Sequence, residues 1–470
     1  MDLLVDVFGY LSIIVHGLTI LSQSMALGGV LFLVFLVRPL DSGGLGRQAP
    51  SWGIARGTAL FAGYAAIALL VCEAATVALQ AAVLMDTVEL SLRQVLTAEF
   101  AVAGLIKTAA AAAIAGLLLG SKERVPTLPL LALSAIELAA ATLTTHAAAR
   151  LDNRGILLVV EGLHQFGAAI WIGGIPCFLL ALVRVRDGAA FRLVGARFSR
   201  MSMVGVASIL VSGITMSLLY IGDWQGLYGT AFGVMVGAKI GMFLMLLALG
   251  GMNFLLVERL RVNPATSVNR LRRFAEVEFG IGIAIFFAAA SLTSVPPAVD
   301  LTQDRVSWQE IRERNTPQWP RLSSPDHDVL ALPALQAKLD QEAATAKAAP
   351  QAAFTPGGGE LPPRNADDIA WSEYNHHWSG LFVASIGLLA LLNRAGVRAA
   401  RHWPLIFLGL AVFLFFRSDP ETWPMGDIGF GESFRDVEVL QHRFYVLLLV
   451  AFAFFEWRVR ATNWTNRYAA

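Results

Sequence analysis

The sequence predicts an all-α integral membrane protein that crosses the bilayer many times. Of its 470 residues, 56% are hydrophobic and only 15% are charged, which is typical of a polytopic membrane protein and not of a soluble domain. Apolar runs long enough to cross a bilayer as helices recur along the chain, and no alternating strand pattern competes with them. Gly and Ala are frequent within these runs, as close helix packing in lipid requires.

About eleven transmembrane helices are predicted from these apolar runs, and the ninth and tenth are short for a full crossing. Asp2 and Asp6 stand where a signal peptide would have basic residues, so the first run is expected to stay as a membrane helix. The predicted spans lie near residues 11–37, 57–83, 99–119, 127–148, 156–183, 200–221, 232–257, 275–294, 379–393, 402–416 and 438–456.

Basic residues predict the orientation of the bundle. Most Arg and Lys residues fall in the loops after spans 1, 3, 5, 7 and 9 and in the C-terminal tail, and the positive-inside rule places these in the cytoplasm. The N-terminus is therefore expected outside and the C-terminus inside. The short loops on the other side carry only a few arginines, namely Arg93, Arg150, Arg154, Arg417 and Arg435.

A long polar stretch divides the predicted bundle into two modules. Residues 1–295 form an eight-helix membrane module and residues 379–470 a three-helix membrane module. Between them, residues 296–378 are rich in Pro, Ala and Gly, which predicts a periplasmic linker or loosely docked flap with one short helix near Leu335–Ala348.

Polar residues at helical spacing mark the segment from Glu161 to Gly174, inside the fifth span. Glu161, His164, Ala168 and Trp171 recur at i, i+3, i+7 and i+10, which predicts one helix face. A carboxylate and an imidazole in hydrocarbon are costly unless they face partners or a polar cavity. The pair therefore either joins two helices or belongs to a functional site.

The predicted topology brings most of the histidines to the external side of the membrane. Imidazoles gathered at one depth are typical of a metal or haem site, although interfacial or helix-joining roles would account for several of them. A polar stripe of Ser12, Thr19 and Gln23 runs along the first span beside one of these histidines. The candidate metal ligands are His16, His146, His164, His376, His377 and His442.

Methionines recur along one side of the seventh span, and their thioethers favour Cu(I). The residues are Met235, Met242, Met245 and Met252, at i, i+7, i+10 and i+17. The spacing suits a transport pathway through the membrane, and it equally suits helix packing.

Four charged residues lie at membrane depth: Glu73, Lys107, Glu137 and Lys239. Buried ion pairing and a proton path are both compatible with them. The chain has no nucleophile–base set, phosphate-binding loop or dinucleotide fingerprint, so it is not expected to be an enzyme or an ATP-driven pump, and nothing indicates a nucleic-acid partner. The two cysteines, Cys72 and Cys177, form no metal-binding pair.

The histidine-rich region resembles the copper resistance protein D family of bacterial inner-membrane proteins. The resemblance rests on Thr144-Thr-His-Ala147 and on Leu163-His-Gln-Phe-Gly-Ala-Ala-Ile-Trp-Ile-Gly-Gly174. It continues through Arg197-Phe-Ser199, Gly213, Thr230-Ala-Phe-Gly233, Lys239 and Asn253.

The resemblance implies copper uptake or tolerance, alongside a periplasmic copper carrier resembling copper resistance protein C. His146 and His164 fall on positions where the family has histidine. The segment and the three-helix module after residue 295 are not part of the basic family, so the resemblance does not carry the family's function over to the whole chain.

Two functions compete at this point. The first is a copper-handling inner-membrane protein that takes copper from the periplasm at the histidine cluster. The alternative is a haem b membrane oxidoreductase that uses two of the same histidines as axial ligands. A scaffold with structural histidines is the third reading.

Overall fold

The computed structural model describes residues 2–42, 50–121, 125–185, 188–263, 268–301, 305–317, 319, 333–346 and 365–461. Within these residues every regular element is a helix, and the strand-like pairing is confined to one isolated bridge between Thr422 and Ile428. The predicted all-α fold is therefore confirmed.

Nine helices in the described part of the chain are long and apolar enough to cross a membrane. The prediction of a multi-pass membrane protein is confirmed. They run over Phe8–Leu40, Gly53–Thr87, Glu99–Gly120, Arg154–Arg184, Ala190–Tyr220, Ala231–Leu260, Asn269–Leu292, Arg398–Arg417 and Glu438–Ala461.

The two other predicted spans are also helical, but neither lies in a helix that is both long enough and apolar enough to cross a membrane. The span near 127–148 contains a shorter apolar helix of 16 residues, Thr127–Thr142. The span near 379–393 is the second half of the helix Ala366–Arg394, whose first half carries acidic residues that lower its hydropathy.

The described residues divide into two compact units, one running to Arg314 and the other beginning at Asn315. The first unit therefore continues beyond the boundary predicted at residue 295. Its main helices are α1 (Asp2–Phe32), α2 (Pro50–Thr87), α3 (Glu99–Gly120), α4 (Thr127–Thr142), α5 (Arg154–Ala168), α6 (Ile175–Arg184), α7 (Gly188–Tyr220), α8 (Ala231–Val262) and α9 (Asn269–Leu292). Shorter helical segments cover Arg38–Ser42, Leu92–Thr97, His146–Ala149, Trp224–Gly229, Ala298–Asp300 and Trp308–Arg314.

Helix α1 and the α5–α6 run form the centre of the first unit. In the most apolar stretch of each, 78% and 67% of the residues are buried, whereas no other spanning helix in the described residues exceeds 44%. Helix α1 packs against α2, α9 and the segment between α5 and α6. The core around them includes Phe178 stacked on Phe198, with ring centroids 4.4 Å apart.

A π-helical turn interrupts each of the two central runs of helix. One comes after α1 at Leu33–Val37, and the other joins α5 to α6 at Ala169–Gly173. A π turn inserts an extra residue and rotates the next part of the helix about its axis. The predicted single helix face therefore ends at Ala168, and Trp171 is offset from Glu161 and His164.

The close contact of the central helices depends on glycine. A Cβ at Gly173 would collide with the backbone carbonyl of Ser24, and a Cβ at Gly28 with that of Ala169. These neighbours are main-chain atoms of buried helices, which cannot rotate away as a side chain can. Small residues are thus required where α1 meets the π-helical turn, as in close helix packing in membranes generally.

Residues 298–301 and 305–308, after α9, pack onto the first unit. Arg305 forms an ion pair with Asp223 at 2.6 Å, and Arg150 forms one with Asp300 at 3.0 Å. Hydrogen bonds from the Gly226 backbone and from Arg305 hold the pKa of Asp223 below its usual value.

The start of the predicted 296–378 linker is consequently packed against the first unit. The ring of Trp308 makes an edge contact with Tyr228, with centroids 5.7 Å apart. The short helix predicted near Leu335–Ala348 is present as Pro333–Ala346, in the second unit. The helix Trp308–Arg314 was not expected from the composition.

The second unit contains three main helices, α10 (Ala366–Arg394), α11 (Ile406–Arg417) and α12 (Val437–Ala461). Helix α11 packs against both others, and 3₁₀ turns cover Arg398–Leu405 and Glu432–Arg435.

Two buried arginines hold the helices of the second unit together. The guanidinium of Arg417 lies 4.0 Å from the centre of the Trp371 ring. Arg443 donates to the carbonyl of Phe415 and, at 2.8 Å, to that of Trp423. Each arginine therefore joins side chains or carbonyls of a neighbouring segment, so neither charge is buried without partners.

Replacing Gly173 with Ala should destabilise the first unit by about 3 kcal/mol or more, because overpacking costs about 1–3 kcal/mol even where side chains can shift. Thermal unfolding of the purified protein in detergent would measure the loss. Gly116→Ala is the matched control, since a Cβ at Gly116 meets no atom within 4 Å. Equal unfolding temperatures for the two variants would contradict the close contact.

Candidate functional site

The six candidate histidines divide between the two units. His16 on α1, His146 on the short helix before α5, and His164 on α5 belong to the first unit and are half-buried. The other three, His376, His377 and His442, belong to the second unit, where the first two are exposed and the third is half-buried.

His164 is oriented by the close packing of α5 against α7. A Cβ at Gly167 would lie 2.7 Å from the carbonyl oxygen of Gly205, so these two helices approach closely one turn away from His164. This approach brings Nδ1 of His164 to 3.0 Å from Oγ of Ser212, a fully buried residue on α7.

The hydroxyl of Ser212 fixes which ring nitrogen of His164 carries the proton. That hydroxyl donates its hydrogen to the backbone carbonyl of Ser208, at 2.6 Å. Its oxygen therefore accepts from His164, and Nδ1 of His164 is the donor. In a neutral ring the lone pair is then on Nε2, which is free to bind a metal.

His146 has a similar arrangement at the start of its short helix. The ring lies close to the backbone of Thr293, after α9. Its Nε2 is buried and has no hydrogen-bond partner among the described residues. A buried nitrogen without a partner is costly, and a metal ion would satisfy it.

His16 lies within electrostatic range of both Lys107 and His146. One residue of the polar stripe predicted beside His16 has a structural role. Gln23 donates to Oε1 of Gln165 at 2.9 Å and so joins α1 to α5.

Glu161 and Lys239 form the charged surroundings of His164. Gln165 donates to Oε1 of Glu161 at 3.2 Å, and the charge of Lys239 on α8 acts on both Glu161 and His164. A metal ion at His164 would therefore meet a carboxylate that attracts it and an ammonium group that repels it.

No group of three or more His, Cys, Asp or Glu side chains is arranged as a metal site within the described residues. The predicted convergence of His16, His146 and His164 on one ion is thus not preformed, and it stays a prediction. In the second unit, Nδ1 of His376 lies 2.8 Å from the carbonyl of Ser372, and Nδ1 of His442 has no partner among the described residues.

The predicted methionine pathway runs along one side of α8. Met235 and Met242 are half-buried, whereas 59% of Met245 and 41% of Met252 is exposed on the surface of the unit. The four thioethers therefore do not line an enclosed channel in this part of the structure, and their role in transport stays a prediction.

Sequence reasoning missed two groups near this site. Ser212 is one, and the signal for it was a pair of serines four residues apart, Ser208 and Ser212, in an otherwise apolar span. Glu278 is the other: it is buried, accepts a hydrogen bond from Asn253 and contacts the Trp171 indole. The signal for it was a carboxylate inside the predicted span 275–294.

Several residues that carry the family resemblance have structural roles. Thr230 begins α8: its oxygen accepts from the Gly233 N–H at 3.0 Å, and its hydroxyl donates to the Gly226 carbonyl at 2.7 Å. This is a helix N-cap. Arg197 donates to the carbonyl of Leu36 at 3.4 Å, in the π-helical turn after α1.

Replacing Ser212 with Ala should change the tautomer of His164, because Nδ1 would lose the acceptor that holds its proton. Nitrogen chemical shifts of the isotope-labelled His164 ring would report the change. Ser208→Ala is the matched control, since Ser208 takes part only through its backbone carbonyl. An unchanged His164 spectrum in Ser212→Ala would contradict the proposed hydrogen-bond direction.

Comparison with known proteins identifies the region that holds Ser212. Residues 192–292 match the family model for copper resistance protein D. The chain is also similar to the copper transport protein CutJ of Bacillus subtilis (strain 168), with 33% identity over 162 residues. That alignment covers 34% of this chain and 29% of the relative, so the chain spans about three tenths of that relative's length. No solved structure matches the chain.

His146 and His164 lie before the matched residues, whereas Ser212, Asn253 and Glu278 lie within them. The resemblance predicted from the motifs is confirmed: residues 192–292 of this multi-pass membrane protein match the copper resistance protein D family.

Proposed function

We propose that this chain is a copper-handling protein of the bacterial inner membrane, which takes copper from the periplasm for transport or tolerance. The imidazoles of His16, His146 and His164 would bind the copper. The observation that carries the proposal is the hydrogen bond between His164 and Ser212, because it ties a predicted ligand to the region that matches the copper resistance protein D family. The similarity to a copper transport protein supports copper as the metal.

The chemistry of His164 suits a metal ligand. Metal-binding histidines almost always donate their second ring nitrogen to a fixed acceptor, which sets the tautomer and the ring orientation. Ser212 is such an acceptor, and imidazole nitrogen is a good ligand for copper. A purely structural histidine would not need a free Nε2.

His146 supports the proposal by the same criterion. Its ring lies close to the Thr293 backbone, and its Nε2 is buried without a partner among the described residues. His16 lies within electrostatic range of that ring. Since three ligands are not preformed around one point among the described residues, copper would either draw these imidazoles together or use them in turn.

The direction of supply depends on the predicted topology, with the N-terminus outside and the histidines at the external side. A periplasmic carrier resembling copper resistance protein C would deliver the copper. His376, His377 and His442 of the second unit would add ligands or form an entry site. The chain itself would act as a transporter or reservoir and not as an enzyme.

Replacing His164 with Ala should lower the copper bound per chain at least severalfold, and replacing His16, His146 and His164 together should abolish binding. Purified protein would be loaded with copper under reducing conditions, freed of excess metal and analysed for metal content. His402→Ala is a control, because His402 lies in the second unit and accepts a hydrogen bond from Trp457 at 2.9 Å.

Full copper content in the triple variant would place the copper site elsewhere. The same samples distinguish copper from the haem alternative. A strong Soret band in the untreated protein that His164→Ala removes would show that these histidines bind haem.

A further inference from the structure

A second cluster of charged residues lies in the first unit, formed by Glu73 on α2, Lys107 on α3 and Glu137 on α4. Helix α3 packs against both α2 and α4, so the lysine stands between the two helices that carry the carboxylates. All three side chains are buried, and Glu137 has no exposed surface. The copper proposal does not use this cluster.

One of the two carboxylates has a partner and the other does not. Nζ of Lys107 lies 2.7 Å from Oε2 of Glu73, so these two residues form a buried ion pair, which is one of the two roles considered for the four charged residues. Neither oxygen of Glu137 has a hydrogen-bond partner among the described residues.

The charges of the cluster balance only if one carboxylate holds a proton. Lys107 contributes one positive charge, and the ionised Glu73 beside it cancels that charge. An ionised Glu137 would leave a net negative charge in a region from which water is excluded, at a cost of several kcal/mol. A neutral carboxylic acid at Glu137 removes this cost.

The neighbours of Glu137 do not supply a second cation. The charged groups that act on it are Lys107 and Glu73. His16 on α1 acts on Lys107 and not directly on Glu137. Helix α5 also packs against α4, but the charge that acts on its Glu161 and His164 is that of Lys239 on α8.

We propose that Glu137 is a proton-binding site of the membrane unit, which holds one exchangeable proton while Lys107 is paired with Glu73. A buried acid beside an ion pair can release or take up its proton when the pair rearranges, because Lys107 can neutralise only one carboxylate at a time. This site would take a proton as its ligand, and none of its three side chains is a proposed copper ligand.

Infrared spectroscopy of the full-length protein in lipid tests the proposal directly. A protonated carboxyl group absorbs apart from carboxylates and amides, so the wild-type protein at pH 7 should show a band that Glu137→Gln lacks. The band should shift to lower frequency after transfer to D₂O, since the proton exchanges. Gln has the shape of a neutral Glu, so the thermal unfolding temperature of this variant should change little.

A second variant makes the test independent of Glu137→Gln. Glu73→Gln removes the partner of Lys107, so the lysine should draw Glu137 into its charged form and the band should disappear. Glu278→Gln is the matched control: Glu278 is also buried but is bonded to Asn253, so the Glu137 band should remain.

Two results would overturn the proposal. Identical carboxyl spectra for the wild type and Glu137→Gln would mean that Glu137 is ionised. A band that persists unshifted in D₂O would mean a trapped, structural proton. Neither result depends on copper, so failure here leaves the histidine proposal untouched, and loss of copper binding leaves this one untouched.

Discussion

The first unit depends on the backbone contact between α1 and the π-helical turn at Ala169–Gly173. Gly28 and Gly173 leave no room for a Cβ, and the atoms they meet are main-chain atoms. In lipid, where apolar burial does little to drive helices together, such close van der Waals packing is the main source of association. The contact keeps α1 and the α5–α6 run at the centre and fixes the register of the surrounding helices.

That register decides which polar groups meet. Because α5 is held against both α1 and α7, Gln23 reaches Gln165, and His164 reaches Ser212. Hydrogen bonds between membrane helices are individually modest, but a buried polar group without a partner is costly. Several buried polar atoms in the described part of the unit nevertheless have no hydrogen-bond partner, and among these Nε2 of His146 and the carboxyl of Glu137 are the ones that suggest a ligand.

Much of the fold was predictable because it depends on local sequence. Apolar runs of membrane length gave most of the spanning helices to within a few residues, although the sixth begins at Ala190 and not near residue 200. The family motifs identified a region that the comparison confirmed. One motif residue, Thr230, also has a local structural role, because it caps α8 by accepting a hydrogen bond from Gly233, three residues later. Arg305 and Trp308, at the start of the predicted linker or docked flap, carry too little periodicity to reveal that they pack onto the first unit.

The sequence by itself determined the all-α membrane architecture, the buried charges and the histidines worth testing, because composition and helical spacing are properties of a single segment. Only the tertiary structure decided that Lys107 pairs with Glu73 and not with Glu137, and that Ser212 holds His164. Those pairings join different helices. They depend on helix rotation and register, to which a π turn adds an offset that no regular period predicts.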